Sequence, residues 1–381
     1  MKVITDQKTI EEIFDRGVVV EILPSKEELI KKMVSGDRLR IYIGADPTSN
    51  SLHLSHAKNY MFLEELRQLG HEVIVLVGDF TAQIGDPTDK TATRTQLSEQ
   101  EVKGNVRSWI KQIQPLMDFK DKNNPPQVLY NSEWLSKLSF KEVVFLASNF
   151  TVQQMLERDM FQERVKDGKP IYLHEFLYPL AQGYDSVAMD VDLEIGGNDQ
   201  TFNMLTGRDL MKAVKGKEKF VLTTKLLVDD AGKKMGKTEG NIVNLDVDYK
   251  NMYGQIMAWP DGVIANGFEL CTNVATEEVV KIKEELKAGQ TNPRDLKMKL
   301  AFEIVKIFYG EKKAKEAEEF FVSTVQKKEM PDSIINYQLT INNLKLTDLL
   351  VEIKLASSKG EARRLIEQGG IKVGGEVIKD I

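Results

Sequence analysis

His53 and His56 lie three residues apart in "SLHLSHAKNY" and are two of only four histidines in 381 residues. That spacing puts both rings on one face of the opening turn of a helix. A helix start also presents unpaired backbone N–H groups and a positive dipole end, which attract anions. Metal ligation, a general base with a spare, surface packing and two imidazole donors facing a polyphosphate are all open to such a pair. Zinc fits poorly, because no Cys or third His is nearby and the glutamate of a helical His-Glu-x-x-His motif is missing. The donor reading fits best. In "KKMGKT" (233–238), Lys234 and Lys237 flank Met-Gly and Thr238 follows. The run lacks the glycines and the strand-to-helix setting of a phosphate-binding P-loop. It is either a solvated turn or a loop that brings two point charges onto a transferring phosphate. In "LYPLAQGYDS" (177–186), Tyr178, Gln182 and Asp185 fall at i, i+4 and i+7 among apolar neighbours. That helix face either meets solvent or lines a pocket for a small zwitterion with a polar far end.

The elements that must carry these residues are legible in outline. Residues 1–36 read as helical and amphipathic. "RLRIYIGADP" reads as a strand ended by Asp46-Pro47, and apolar residues from 54 to 69 have helical spacing closed by Gly70. "EVIVLVGDF" is a continuous apolar run of the kind buried on both faces of a parallel sheet. Strand, helix and strand in about 40 residues make a βαβ unit, so the expected fold is α/β with a Rossmann-like doubly wound parallel sheet. Further strands are expected at 127–131 and 191–197, with "FVLTTKLLV" (220–228) leading into the Lys- and Gly-rich loop. Residues from about 246 to 330 read as helical, 335–340 as a short linker, and the last 40 or so as a small α/β module. In a doubly wound sheet, ligands bind outside the carboxyl ends of the strands. "GADPTSNSLHLSH", "GDFTAQIGDPTDKTATR" and "GGNDQTF" all follow strands at that end.

Bulk properties bound the class. Hydrophobic residues make up 41% and charged residues 29%, the mixture of a globular protein with a sizeable core. The single cysteine, Cys271, excludes an internal disulfide framework and a multi-thiolate zinc site, and suits a reducing cytoplasm. No signal or transit peptide is expected from "MKVITDQKTIEEIFDRG", and no apolar run nears the roughly 18 residues of a membrane span. A net charge of −6 argues against indiscriminate coating of nucleic acid but leaves room for a local RNA-binding surface.

Taken in order, the motifs resemble a known family. "GADPTSNSLHLSH" resembles the first signature of class I aminoacyl-tRNA synthetases, usually His-Ile-Gly-His, in its tyrosine-specific Gly-x-Asp-Pro-Thr setting. "KMGKT" resembles the second, usually Lys-Met-Ser-Lys-Ser. "GDFTAQIGDPTDKTATR", "MLERDMF", "HEFLYPLAQGYDS" and "GGNDQTFN" are similar in order and spacing to the bacterial tyrosyl-tRNA synthetase family. "LTDLLVEIKLASSKGEARRLIEQGGIKVGG" resembles the small RNA-binding module shared with a ribosomal protein. The match covers about residues 35 to 376. Four regions are implied: a catalytic domain with an inserted connecting region (1–222), a signature loop and linker (223–245), an α-helical anticodon-arm domain (246–332) and a small RNA-binding module (333–381).

The resemblance implies an ATP-dependent ligase that forms tyrosyl-adenylate and pyrophosphate from L-tyrosine, then transfers tyrosine to the 3′ end of tRNA(Tyr). It implies Mg2+ with the ATP, no dedicated metal cage, a homodimer and a cytoplasmic setting. Thr48, His53, Lys90, Arg94, Lys234, Lys237 and Thr238 would hold the phosphates, with His56 near the ribose and α-phosphate. Gly44, Asp46, Gly197 and Asp199 would meet the nucleoside. Asp86, Tyr178 and Gln182 would surround the substrate ammonium and Gln200 its carboxylate, while Asp185 and Tyr42 would bind the phenol hydroxyl. The tryptophan-specific relatives share both signatures, and an RNA-binding paralogue without aminoacylation is the rival from another class. Three positions depart from the family pattern. Ser55 replaces the glycine against which adenine lies, so a raised KM for ATP is expected. Glu194 stands where glutamine is common and adds negative charge near the substrate pocket. The chain stops soon after "GGEVIKD", which implies a shortened RNA-binding module.

Overall fold

The computed structural model describes residues 2–86, 98–229, 235, 242–326, 345–353, 355–356, 358–367, 369–374 and 376–378. They fall into two compact units, Met1–Val322 and Ser323–Ile381. The first is built on a six-stranded sheet: β1 (Val19–Leu23), β2 (Arg40–Ala45), β3 (Glu72–Val77), β4 (Gln127–Tyr130), β5 (Leu193–Gly197) and β6 (Phe220–Thr224). Its order is β1-β6-β5-β2-β3-β4, with every neighbouring pair parallel except β1 against β6. The winding reverses between β2 and β5, which opens a crevice at their carboxyl ends. β1 corrects the purely helical expectation for residues 1–36. There Val19, Glu21, Ile22 and Leu23 pair with the β6 edge, with an irregularity at Val20, between two amphipathic helices, Gln7–Asp15 and Lys26–Val34.

The central strands are apolar on both faces because helices cover both. Ile41, Tyr42 and Ile43 of β2 are all buried, as are Val73 through Val77 of β3. Helix α1 (Leu54–Gln68) forms the first crossover, burying Leu54, Ala57, Phe62, Leu63 and Leu66. Three more helices bear on the crevice: α2 (Glu99–Ile113), α3 (Leu177–Met189) and α4 (Thr201–Lys215). α3 contains Gly183 and α4 contains Gly207, which let the two helices pack closely; a Cβ on Gly183 would lie 3.2 Å from the Gly207 nitrogen.

From Tyr249 to Phe321 the chain is helical, as expected. Pro293 opens the helix Pro293–Tyr309 beside an Asn292 cap, and Leu300, Ile304 and Val305 are buried. In the second unit, helices Leu346–Glu352 and Lys359–Glu367 accompany an antiparallel pair, β7 (Lys372–Val373) and β8 (Glu376–Val377). Leu350, Ala356, Ala362 and Ile366 form its core. The expected linker at 335–340 lies outside the described residues. Among the described residues, no helix is long and apolar enough to cross a membrane.

Candidate active site

A cavity of about 590 Å3 occupies the crevice at the carboxyl ends of β2 and β5. It gathers Tyr42, Gly44, Asp46, Thr48, His53, His56, Asp86, Tyr178, Gln182, Asp185, Gly197, Asp199 and Gln200, residues far apart in sequence. Lys90, Arg94, Lys234, Lys237 and Thr238 lie outside the described residues. Met235, between the two signature lysines, lines the cavity.

The histidines share one face of the α1 start, with ring centroids 3.8 Å apart. His53 occupies the cap position, and its backbone N–H donates to His56 Nδ1 at 3.3 Å. An accepting Nδ1 puts the proton of neutral His56 on Nε2, leaving that nitrogen as a donor. Between them, the Ser55 hydroxyl donates to the Met235 carbonyl at 3.3 Å.

Two carboxylates organise one side of the cavity. Asp46 accepts from the Thr81 hydroxyl at 2.6 Å and from the Tyr178 phenol at 2.9 Å. Gly78 makes room for this: a Cβ there would lie 2.0 Å from Asp46 Oδ1. Asp86 accepts from the Gln200 amide at 2.8 Å and faces the Arg158 guanidinium at 3.6 Å. Arg158 is itself buried between the rings of Phe161 and Phe202. Burial and the neighbouring Asp46 hold the Tyr178 phenol in its neutral form by pushing its pKa well up.

Asp185 sits deep in the cavity wall, 2% exposed. Its carboxylate accepts from the Trp134 indole N–H at 2.7 Å and from the Asn131 amide at 3.3 Å. Burial pushes its pKa well above the usual carboxylate range, and these two donors oppose that shift. Tyr42 is fully buried, and its hydroxyl pairs with Ser186 Oγ at 3.0 Å.

The expectation of an added negative charge at Glu194 needs correction. Glu194 is ion-paired with Lys219, which is 0% exposed, and accepts from the Gln182 amide at 3.1 Å. The pair is close to neutral as seen from the cavity. Removing either partner alone would strand a buried charge, at a cost of about 3–5 kcal/mol.

Several residues bearing on the site were not singled out from the sequence: Trp134, Asn131, Arg158, Lys219 and Lys58. Lys58, 2% exposed, donates to Asn59 Oδ1 at 2.6 Å and Thr224 Oγ1 at 2.9 Å, and burial brings its pKa down to about 8. A lysine on the apolar side of α1 was the available signal for Lys58. The others lie in stretches with no distinctive spacing, apart from Arg158 within "MLERDMF".

The crevice and its donors define a class, and comparison with known proteins agrees. Residues 34–326 match the model of the tRNA synthetases class I (W and Y) family, and 344–381 match the S4 domain. The chain belongs to the class I tRNA synthetases of the W and Y family. It is 42% identical to a tyrosine–tRNA ligase of Thermotoga maritima over 364 residues, covering 95% of this chain and 89% of that one. It is 40% identical to the Haemophilus influenzae tyrosine–tRNA ligase over 378 residues, 99% of this chain and 92% of that one. A C-terminally truncated mitochondrial tyrosyl-tRNA synthetase of Coccidioides posadasii has the same fold (TM-score 0.66, 23% identity, 82% of this chain and 91% of that one). So does a tryptophanyl-tRNA synthetase of Encephalitozoon cuniculi (TM-score 0.61, 16% identity, 84% and 93%). Fold alone therefore does not separate the two specificities, whereas relatives at about 40% identity are tyrosine–tRNA ligases.

Proposed function

We propose that this chain is a tyrosine–tRNA ligase that condenses L-tyrosine with ATP and passes the tyrosyl group to the 3′ end of tRNA(Tyr). The observation that carries the reading is one cavity with acceptors at one end and a buried polar floor at the other. An ammonium has three N–H donors, and Asp86, Tyr178 Oη and the Gln182 carbonyl oxygen supply three acceptors. The Tyr178 proton is committed to Asp46 and the Gln182 nitrogen to Glu194, so both present oxygen lone pairs. A phenol hydroxyl reaching the floor would donate to Asp185 and accept from Tyr42. Such a site rejects phenylalanine by a factor on the order of 10⁴–10⁵, because the analogue leaves buried polar groups unpaired.

The attacking tyrosine carboxylate is already ionised, so adenylate formation needs no protein base. What remains is alignment and stabilisation of charge growing on the phosphate oxygens. His53, His56 and Thr48 serve the phosphates beside the α1 start, together with Lys90, Arg94, Lys234, Lys237 and Thr238. Gly44, Asp46, Gly197 and Asp199 meet the nucleoside. Gln200, tied to Asp86, lies beside the substrate carboxylate. Among the described residues, no cluster of three His, Cys, Asp or Glu side chains is gathered for an ion. Magnesium accompanies the nucleotide substrate as counter-charge, held mainly by phosphates and waters.

For the macromolecular partners, the lysine-bearing helices from 246 and the S4 module serve the tRNA. A second copy covers the exposed apolar side chains around Phe140, Phe145 and Leu173. These surfaces follow from composition and exposure, with Phe140 83% and Leu173 79% exposed. Tyrosine-dependent exchange of labelled pyrophosphate into ATP tests the central reaction. Exchange with tyrosine, and much weaker exchange with phenylalanine or tryptophan, is expected. Folded protein with magnesium and no tyrosine-dependent exchange would instead favour the RNA-binding paralogue.

A further inference from the structure

Beneath the cavity floor a chain of polar groups joins Tyr42 and Glu194 to Lys219 and Ser186, two residues that no step above uses. Lys219 Nζ donates to Ser186 Oγ at 2.9 Å and also to Glu194 Oε2. Ser186 Oγ lies 3.0 Å from the Tyr42 hydroxyl and 3.5 Å from Glu194 Oε2. All four residues are buried, with Lys219, Ser186 and Tyr42 each 0% exposed. The space for the lysine is built in from α4: a Cβ on Gly207 would lie 2.6 Å from Lys219 Nζ and 2.9 Å from Ser186 Oγ.

Donor and acceptor capacity gives this chain a direction. A lysine ammonium only donates, an ionised carboxylate only accepts, and a hydroxyl does both but has a single proton. Ser186 can give that proton to Tyr42 or to Glu194. Glu194 also faces the Tyr42 hydroxyl, but its Oε2 holds the Lys219 ammonium and its Oε1 the Gln182 amide. With Ser186 itself accepting from Lys219, the shorter approach to Tyr42 receives the Ser186 proton. Tyr42 then accepts from below, and its own proton is left for the cavity. On the proposed function, that is the polarity needed when Asp185 takes the substrate phenol proton, because the phenol oxygen must then accept one.

We infer that Lys219 is a positioning residue for substrate recognition. Through Ser186, and paired with Glu194, it orients the Tyr42 hydroxyl as a donor to the phenol oxygen of the amino-acid substrate. The inference rests on the tyrosine reading. It also explains how glutamate serves at 194: lysine and glutamate together supply the donor and acceptor that one neutral amide supplies alone. Without Lys219, the Ser186 proton turns to the unpaired Glu194, Tyr42 donates downward to Ser186, and the phenol oxygen loses its donor.

The test is a cycle of the full-length variants Lys219→Met, Glu194→Gln, the double Glu194→Gln/Lys219→Met, and Ser186→Ala. Each is measured for KM and kcat in pyrophosphate exchange with tyrosine and with phenylalanine, beside a thermal melt. Lys219→Met is expected to raise the KM for tyrosine at least tenfold and to lower the tyrosine-over-phenylalanine ratio at least tenfold, with the KM for ATP within twofold. In the double variant the amide introduced by Glu194→Gln can donate to Ser186, and both quantities are expected to recover to within about threefold of wild type. Ser186→Ala leaves the ion pair intact and is expected to lower the ratio at least fivefold at an unchanged melting temperature. An unaltered ratio in Lys219→Met, a double variant no better than the single, or KM values for tyrosine and ATP rising together would overturn the inference. If Lys219→Met does not fold, Ser186→Ala decides, and an unchanged ratio there overturns it. Wild-type protein without tyrosine-dependent exchange would remove the proposed function itself, whereas the other failures remove only this inference.

Discussion

Asp185 poses the sharpest problem at the scale of single residues. Its burial favours the neutral acid, yet a phenol donor needs an ionised acceptor. Trp134 and Asn131 oppose the burial by donating to its two oxygens. A hydrogen bond to a charged group contributes about 1.5–3 kcal/mol. Trp134→Phe, which keeps most of the ring and removes the N–H, is therefore expected to raise the KM for tyrosine roughly 10- to 100-fold. Steady-state exchange at several tyrosine concentrations reads this directly, and a KM within twofold of wild type would show that Trp134 does not support the carboxylate. Ser55 is a separate case. Its hydroxyl is held by the Met235 carbonyl, but its side chain remains on the face where the family pattern has a glycine. Ser55→Gly is expected to lower the KM for ATP several-fold with the KM for tyrosine unchanged, as measured by titrating each substrate. "SLHLSH" was legible for its histidines because two rings at helical spacing need only local geometry. Trp134 was not, because its role depends on an aspartate 51 positions away.

At the scale of elements, His71 joins the entry to β3 with the entry to β2. Its Nδ1 accepts from the Leu39 backbone N–H at 3.2 Å, and its carbonyl accepts from the Asn124 amide at 2.9 Å. Fully enclosed, the imidazole is kept neutral, and its pKa falls from the usual 6.5 to about 4. The unfolded chain therefore binds a proton between pH 6.5 and 4 that the folded chain refuses. The stabilisation from neutral His71 is complete above about pH 6.5 and is lost as pH falls towards 4, amounting to roughly 3 kcal/mol. His71→Gln keeps an acceptor for Leu39 but cannot titrate. Urea midpoints at about pH 7.5 and about pH 5 should differ more for wild type than for this variant; equal differences would remove His71 from the account. The sheet itself was readable from the continuous apolar run of β3. β1 was not, because a five-residue strand between two helices is fixed by the β6 edge that it joins, not by its own periodicity.

For the whole molecule, the exposed apolar side chains on the helix Phe140–Ala147 and the turn Leu173–Phe176 form part of the proposed interface with a second copy. Charge there would oppose association without touching the cavity. Phe140→Asp is expected to shift the protein from dimer towards monomer in sedimentation velocity at micromolar concentration. Its melting temperature should then depend on protein concentration, as linked association requires. A wild type that sediments as a monomer would remove the proposed dimer.

The sequence by itself determined the central strands, the crossover helix and the ordered motifs, and with them the family. Hydrophobic period, helix-start chemistry and motif order are all local properties of the chain. Only the tertiary structure decided how the charges balance. Glu194 looked like an added negative charge until folding brought Lys219 against it from the start of β6, with Gly207 leaving the room. Asp46, Tyr178 and Thr81 likewise became one hydrogen-bonded group across three separate elements. The state of a buried ionisable group depends on neighbours that are close in space, and no spacing within the chain records them.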